Sequence, residues 1–263
     1  MIYKYKSQVK NIAVCISGEP RFYKNCAKNI NNFFNYEGVN VHYFAHIWNS
    51  NTLKTNGKPI IEKFSINDIE DSVKKYFNFE KLKVEEKFEQ SYSWENMYYS
   101  DAFSNFLKCQ FEKENNMKFD IVVKCRTDLA FEPGQKFLDI FHSGNIKVKT
   151  IYANNWPLTL EWLLPNVDDC FYFGDSMSMD IVMQNMTHVT ANVYKELRND
   201  INHKDNPYMM YGPGVSMYQW IKQVNMSLEH KSQNYFIFRD AAKEINLDVD
   251  YEKALQKSKE VQP

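Results

Sequence analysis

Ile12-Ala13-Val14-Cys15-Ile16 is a short unbroken apolar run punctuated by Gly18 and Pro20. A buried parallel strand reads this way. Phe22, Cys26, Ile30 and Phe33 then recur at spacings of four, four and three, with Lys24, Asn25, Lys28 and Asn32 on the other side. That pattern predicts an amphipathic helix starting near Pro20, a residue favoured in a first helical turn. Gly38 closes the unit. Val39, Val41 and Tyr43 alternate with Asn40 and His42 and predict a second strand running to His46. Strand, helix, strand is the opening of a βαβ fold.

Asn49 to Pro59 is polar and rich in turn residues and is read as a loop. Ile69, Val73, Tyr76 and Phe77 mark a short helix that Ser65 or Asn67 could cap. Leu82 and Val84 suggest a brief strand. A longer helix is expected over about Trp94 to Glu114, with Tyr98, Ala102, Phe106 and Cys109 on the face that meets a sheet. Phe119 to Cys125 predicts a strong strand ending at Arg126-Thr127-Asp128. Ile146 and Val148 begin an extended stretch, and Cys170 to Phe173 predicts a strand closed by Gly174. Met179, Val182, Met186, Val189, Val193 and Leu197 predict a long helix. A helix near Val215 to Val224, a strand near Tyr235 to Phe238 and a frayed charged tail after Asp248 complete the chain. The expectation is one α/β domain, a mostly parallel sheet flanked by helices. Residues 1–130 would form its regular half and residues 131–248 its less regular half.

Composition narrows the function classes. Lys plus Arg number 32 against 33 Asp plus Glu, a formal net charge of −1, so the basic excess that coats nucleic acid is absent. Aromatics are 16% of the chain against 8 Gly and 8 Pro, the composition of a packed body. Its 263 residues suffice for a core without a disulfide or metal staple. Cys15, Cys26, Cys109, Cys125 and Cys170 are odd in number, widely spaced and set in apolar runs, which reads as reduced thiols of a cytoplasmic protein. The first ten residues carry no apolar signal core, and no apolar stretch approaches the roughly 20 residues of a membrane span. A soluble chain is expected.

Ligands of open α/β sheets bind beyond the carboxyl ends of the strands. After the first strand comes Ser17-Gly18-Glu19-Pro20-Arg21. Gly18 permits a tight turn, and the helix start behind it favours an anion. Arg21 would either neutralise that anion or pair with Glu19. The three glycines of a dinucleotide fingerprint and the lysine of a triphosphate loop are absent. His46 after the second strand could contact a ligand or be a satisfied strand-end histidine, and Trp48 is read as core. Arg126 and Asp128 stand two apart at the next strand end. They could hold a metal–diphosphate or position a hydroxyl, or form a buried ion pair that fixes the loop. Asp168 and Asp169, before Cys170, are candidates for base or metal chemistry or for capping a turn.

Taken together, IAVCISGEPRFYKNC (12–26), VHYFAHIW (41–48), YYSDAFSNFLKCQFE (98–112), FDIVVKCRTDLAF (119–131) and DDCFYFGDSMSM (168–179) resemble the GT-A-type glycosyltransferases. The similarity is greatest to a group found in phages, large viruses and marine bacteria. It spans most of the first 180 residues and is weak after about Leu197. The resemblance implies a Rossmann-like α/β sandwich that binds a nucleotide-sugar at the carboxyl edge of its sheet, over Ser17, Gly18 and Arg21. It also implies an acidic motif, commonly Asp-x-Asp, holding a divalent metal (Mn²⁺ or Mg²⁺) on the donor diphosphate. The matching position reads Arg126-Thr127-Asp128, with Arg126 in place of the first Asp. Arg126 would then neutralise the diphosphate, with Asp128 on a metal or a sugar hydroxyl. Asp168 and Asp169 would lie on the acceptor side, where an inverting enzyme keeps its base.

The expected activity is transfer of a sugar from a nucleoside-diphosphate donor to a glycan or other hydroxyl acceptor. Loss of transfer with an intact fold is expected for Arg126→Ala and for Asp128→Ala. The competing expectation is a GT-A-like binding or scaffold protein without catalysis, which the replaced Asp keeps open. A nucleotidyltransferase ranks below both, because no triphosphate loop is present.

Overall fold

In the computed structural model, residues 3–5, 9–55, 58–88, 93–140, 145–154, 167–184, 213–231, 235–237, 244–247 and 249–259 are described. In chain order the strands are β1 (Tyr3–Tyr5), β2 (Asn11–Gly18), β3 (Asn40–Trp48), β4 (Ser50–Thr55), β5 (Lys58–Lys63), β6 (Phe79–Glu85) and β7 (Ile121–Cys125). They continue as β8 (Leu129–Phe131), β9 (Asn145–Lys147), β10 (Thr150–Ala153), β11 (Phe171–Gly174), β12 (Ser227–His230) and β13 (Tyr235–Ile237). The helices are α1 (Tyr23–Phe34), α2 (Ile66–Lys74), α3 (Ser93–Glu114), α4 (described over residues 176–184), α5 (Pro213–Gln223) and α6 (Tyr251–Lys259).

Seven strands form the main sheet in the order β12-β10-β11-β7-β2-β3-β6. β2 pairs parallel with both β3 and β7, β3 with β6, and β10 with β12. β11 alone runs against its neighbours, antiparallel to β7 and β10. The chain is therefore α/β with a mostly parallel sheet. Because side chains alternate along each strand, the sheet has two apolar faces. Ile12, Val14, Ile16, Ile121 and Val123 pack against α1 and α2. Ala13, Cys15, Phe44 and Val122 pack with Tyr98 of α3, Met179 of α4 and Ile221 of α5. The first three main-sheet strands step one way, β2 to β3 to β6, and then β7 crosses to the other side of β2. Such a reversal opens a crevice at the carboxyl ends of the two strands that flank it.

Several expectations change. Where the polar stretch Asn49 to Pro59 predicts a loop, β4 and β5 form an antiparallel hairpin. Ser50, Asn51, Thr52 and Lys63 carry no apolar alternation, so periodicity has nothing to report. The tail after Asp248 contains α6. Ala254 and Ser258 are buried on it, and Tyr251 packs on Phe236 of β13 with ring centroids 5.2 Å apart.

The largest difference lies in α3. Phe106, expected against the sheet, is 47% exposed. Ser100, Asp101, Ser104, Asn105, Lys108 and Glu112 are buried in its place. A helix turns a polar stripe inward only where the opposite surface supplies partners, and here the sheet and α4 do. The predicted continuation of α4 toward Leu197 lies outside the described residues.

Candidate functional site

The turn after β2 is built on Gly18, whose φ of +107° suits glycine, with no heavy atom within 4 Å of where a Cβ would stand. Gly18 N–H donates to Ser100 Oγ at 2.7 Å, and Ser17 Oγ donates to Asp101 Oδ1. Two consecutive residues of α3 thus hold two consecutive residues of the turn. Phe22 follows at φ 48° as the N-cap of α1 and gives that helix no side-chain cap.

Glu19 anchors the outer side. It accepts from Arg21 Nε at 2.7 Å, Thr52 N–H at 2.9 Å, Thr52 Oγ1 at 2.7 Å and Lys87 Nζ. Arg21 therefore takes the ion-pair alternative. Burial pushes the Glu19 carboxyl up, but Arg21, Lys87 and Thr52 outweigh it and hold the pKa at about 2. A carboxyl depressed on folding stabilises fully above its unfolded value of 4.5, and the contribution fades as pH falls toward about 2. The contribution is on the order of 3 kcal/mol. Glu19→Gln is therefore expected to lower unfolding free energy near neutral pH, with the difference from the unsubstituted protein shrinking below pH 4.5. A difference that stays constant across that window would show that Glu19 acts through packing alone.

His46 is fully buried at the end of β3. Its Nε2 lies 3.0 Å from Glu85 Oε2 and its Nδ1 2.9 Å from Ser100 Oγ. Burial lowers the imidazole pKa against the pull of Glu85, and Glu85 itself, despite burial, is lowered by its bond to His46. A neutral ring donating Nε2–H to an ionised Glu85 satisfies both directions. Ser100 Oγ is also 2.9 Å from the His46 carbonyl, so its single proton is shared between two acceptors while it accepts from Gly18. The His46 ring thus reaches Gly18 through one intervening residue, Ser100. Trp48 is buried, as expected.

Across the sheet, Lys124 is wholly buried. It donates to the Asp169 carbonyl, lies 3.9 Å from Asp101 Oδ1 and sits 5.8 Å from the Tyr172 ring centre. Tyr172 OH donates to Asp101 Oδ2 at 3.2 Å. Burial pushes the Asp101 carboxyl up, opposed by Lys124, Ser17 and Tyr172. Ser17, His46, Lys124 and Tyr172 share the α3 side of neighbouring strands, so the polar stripe of α3 meets a polar patch at the carboxyl end of an otherwise apolar face.

Arg126 and Asp128 form the ion pair. Arg126 Nε and Nη2 reach the two oxygens of Asp128 at 2.8 and 2.6 Å, and the Asp128 side chain is 2% exposed. Among the described residues Arg126 Nη1 meets only a weak acceptor, Cys170 Sγ at 3.4 Å. Thr127 Oγ1 lies 2.9 and 3.0 Å from the carbonyls of Glu19 and Arg21 and joins this loop to the Gly18 turn. Phe171 is in register with Cys125, so the reversed β11 begins at the edge where β7 ends. Asp168, Asp169 and Cys170 arrive there before the strand starts. Asp168 is buried and accepts from Cys170 N–H at 2.9 Å, a turn cap. Asp169 is half-buried.

The residues that could hold a metal follow from this geometry. Among the described residues, two groups bring three ligand atoms within 4.8 Å of one another: Asp168, Asp169 and Cys170, and Cys109, Glu112 and Asp180. The second is saturated by lysines, with Lys108 Nζ 3.1 Å from Glu112 and 2.6 Å from Asp180, and Lys118 Nζ 2.6 Å from Glu112. Asp128 belongs to neither group, and both of its oxygens face Arg126. A divalent metal on Asp128 does not fit this donor set.

The structure thus gathers Ser17, Gly18, Arg21, His46, Arg126, Asp128, Asp168 and Asp169 around one edge. Ser100, Asp101, Lys124 and Tyr172 are site residues that the sequence reading does not assign, and Glu19 enters it only as a partner for Arg21. Lys124 inside an apolar strand and Ser100-Asp101 inside an aromatic helix were the available signals. A shallow hollow of ≈ 300 Å³, lined by Asn31, Asn35, Val39 and Tyr43, lies at the other end of the sheet and holds none of these residues. None of the five cysteines is in a disulfide. Among the described residues no helix is long and apolar enough to cross a membrane. The chain matches no family model and none of the curated proteins.

Proposed function

We propose that the chain is a nucleotide-sugar-dependent glycosyltransferase of GT-A type, moving a sugar from a nucleoside-diphosphate donor to a hydroxyl acceptor. The observation that carries this reading is the convergence at one carboxyl edge of an uncapped helix start behind Gly18, a guanidinium at Arg126 and the carboxylate of Asp169. The diphosphate is the leaving group and gains charge in the transition state. The Nη1 of Arg126, which among the described residues meets only a thiol, is the donor left for a phosphate oxygen, and fixed positive charge there lowers the barrier. Asp168 is wholly buried and caps its turn through Oδ1, so the half-buried Asp169 is the carboxylate assigned to take the acceptor proton, a contribution of roughly 10²–10⁴ in rate. No step runs through a metal.

One observation favours the second reading, a binding protein without turnover. Arg21 and Asp128 are both engaged in ion pairs, which spends two of the candidate groups on holding loops. A thermal-shift screen with UDP, GDP, CDP, ADP and dTDP and their common sugars, each with Mg²⁺, Mn²⁺ or EDTA, tests the donor site. A ligand at about 100 times its Kd should raise Tm by roughly 5–10 °C. The rise is expected with one nucleotide family and should persist in EDTA. Loss of the rise in EDTA would assign a metal to Asp168, Asp169 and Cys170. Absence of any rise would remove the transferase reading. A rise without sugar transfer across an acceptor panel would favour the binding protein.

A further inference from the structure

We infer that Ser100 and Asp101 are positioning residues, which hold the Ser17–Gly18 turn in the conformation that receives the donor. The inference rests on the donor site proposed above and deepens it. Ser17 and Gly18 end β2 in register with His46 and Ile47 of β3, and Thr127 holds the carbonyls beyond them at Glu19 and Arg21, but the Gly18 N–H and the Ser17 hydroxyl both turn to α3. Gly18 has the backbone freedom of glycine, its φ is +107°, and open space lies above it. With no side chain to fix it, the end of β2 at Gly18 depends on hydrogen bonds to hold this φ. The selecting bonds come from one helix, Gly18 N–H to Ser100 Oγ and Ser17 Oγ to Asp101 Oδ1. Each holder is held in turn. Ser100 is fixed by His46, which Glu85 orients through Nε2. Asp101 is fixed by Tyr172 OH from β11 and faces Lys124 from β7. The two arms therefore tie the turn to strands on both sides of β2. All four inner groups (Ser100, Asp101, His46 and Lys124) are at most 1% exposed. Pre-ordering a loop before binding removes a cost that would otherwise weaken affinity.

Ser104 supplies the control. It is equally buried, one helical turn further along α3, and among the described residues its hydroxyl bonds only the Asp101 carbonyl of its own helix. The experiment compares unsubstituted protein, Ser100→Ala, Asp101→Asn and Ser104→Ala. It reads amide hydrogen exchange at Gly18, Tm, and affinity for UDP, GDP, CDP, ADP and dTDP by calorimetry. Ser100→Ala is expected to speed exchange at Gly18 about tenfold, the equivalent of one hydrogen bond. Ser100→Ala and Asp101→Asn should each weaken binding of the recognised nucleotide about tenfold. Ser104→Ala should change neither readout at comparable Tm.

Unchanged exchange at Gly18 in Ser100→Ala, or an equal change in Ser104→Ala, overturns the inference. Faster exchange with unaltered nucleotide affinity also overturns it, since the turn would then be held to no purpose in binding. If the unsubstituted protein binds none of the five nucleotides, the donor-site reading fails by itself. Gly18 exchange then decides whether these residues hold the turn. Should Asp101→Asn fail to fold, Ser100→Ala carries the test, because it removes one buried oxygen and leaves no charge behind.

Discussion

Arg126→Ala is expected to lower the unfolding free energy by about 3–5 kcal/mol, because it strands a buried carboxylate. For a chain of this length the fall in Tm should be on the order of 10 °C. Both oxygens of Asp128 face this one guanidinium, and the carboxylate is almost wholly out of water. Truncating both partners is different. Arg126→Ala with Asp128→Ala leaves no uncompensated charge and should regain most of the loss. Urea unfolding of the four-member cycle makes the comparison. A single-variant loss below about 1 kcal/mol would mean that water replaces the guanidinium at little cost. A double variant no more stable than Arg126→Ala would assign the effect to packing of the arginine stem. With a loss of that size, missing transfer in Arg126→Ala reports on chemistry only once the variant is shown to be folded. Arg126→Lys is the better probe of transfer, since it keeps the charge and loses the planar fork that serves Asp128 and Cys170 together.

Lys108→Met should cost a comparable amount, for a related reason. The ammonium is wholly buried, and its three protons meet Glu112 at 3.1 Å, Ser176 at 2.9 Å and Asp180 at 2.6 Å. Fully buried lysines occur almost only when paired in this way. Removing this one leaves Glu112, 2% exposed, with Lys118, a side chain 67% exposed, as the remaining ammonium against it. The expected loss is again about 3–5 kcal/mol near neutral pH.

The pH dependence gives that prediction a sign. Burial pushes the Glu112 and Asp180 carboxyls up, but Lys118 and Ser176 at Glu112, and Lys108 at both, hold them below their ordinary values. Groups depressed on folding stabilise above their unfolded pKa and lose that contribution as pH falls through the folded one. A protonated carboxyl needs no cation, so the Lys108→Met penalty should be largest near neutrality and shrink in acid. Unfolding curves at about pH 7 and about pH 4 test this. A penalty that grows in acid would reject the charge-pairing account. Neither Cys109, whose thiol burial pushes up to about 11, nor this charge-balanced group has the character of a reactive site.

Sequence and structure agree most closely where a side chain's fate depends on its immediate neighbours. The apolar run at Ile12 to Ile16 is β2, the spacing of Cys26, Ile30 and Phe33 is α1, and Ser65 caps α2 by accepting from Asp68 N–H. Gly18 was recognised as a turn residue and adopts a positive φ. The neighbourhoods of Arg21, Arg126 and Asp168 were legible as pairs of alternatives, and the structure realises the ion pair, the ion pair and the turn cap. Local spacing could not choose between these alternatives, because a ligand contact and an internal pair use the same residue types.

What the sequence determined alone, then, was the period and extent of the main elements and the chemistry available at each strand end. The rest depended on residues far apart in the chain. Ser17 and Asp101 are 84 positions apart, and Arg126 and Cys170 are 44 apart. Periodicity foretold α3 as a helix but pointed Phe106 inward. Burial of Lys108 and Glu112 became affordable only once Ser176 and Asp180 of α4 stood opposite. Asp168 and Asp169 precede their strand, which in a uniformly parallel sheet would leave them at the opposite edge. The reversal of β11 carries them to Arg126, and strand direction follows from long-range pairing, which no local pattern of hydrophobic and polar residues encodes.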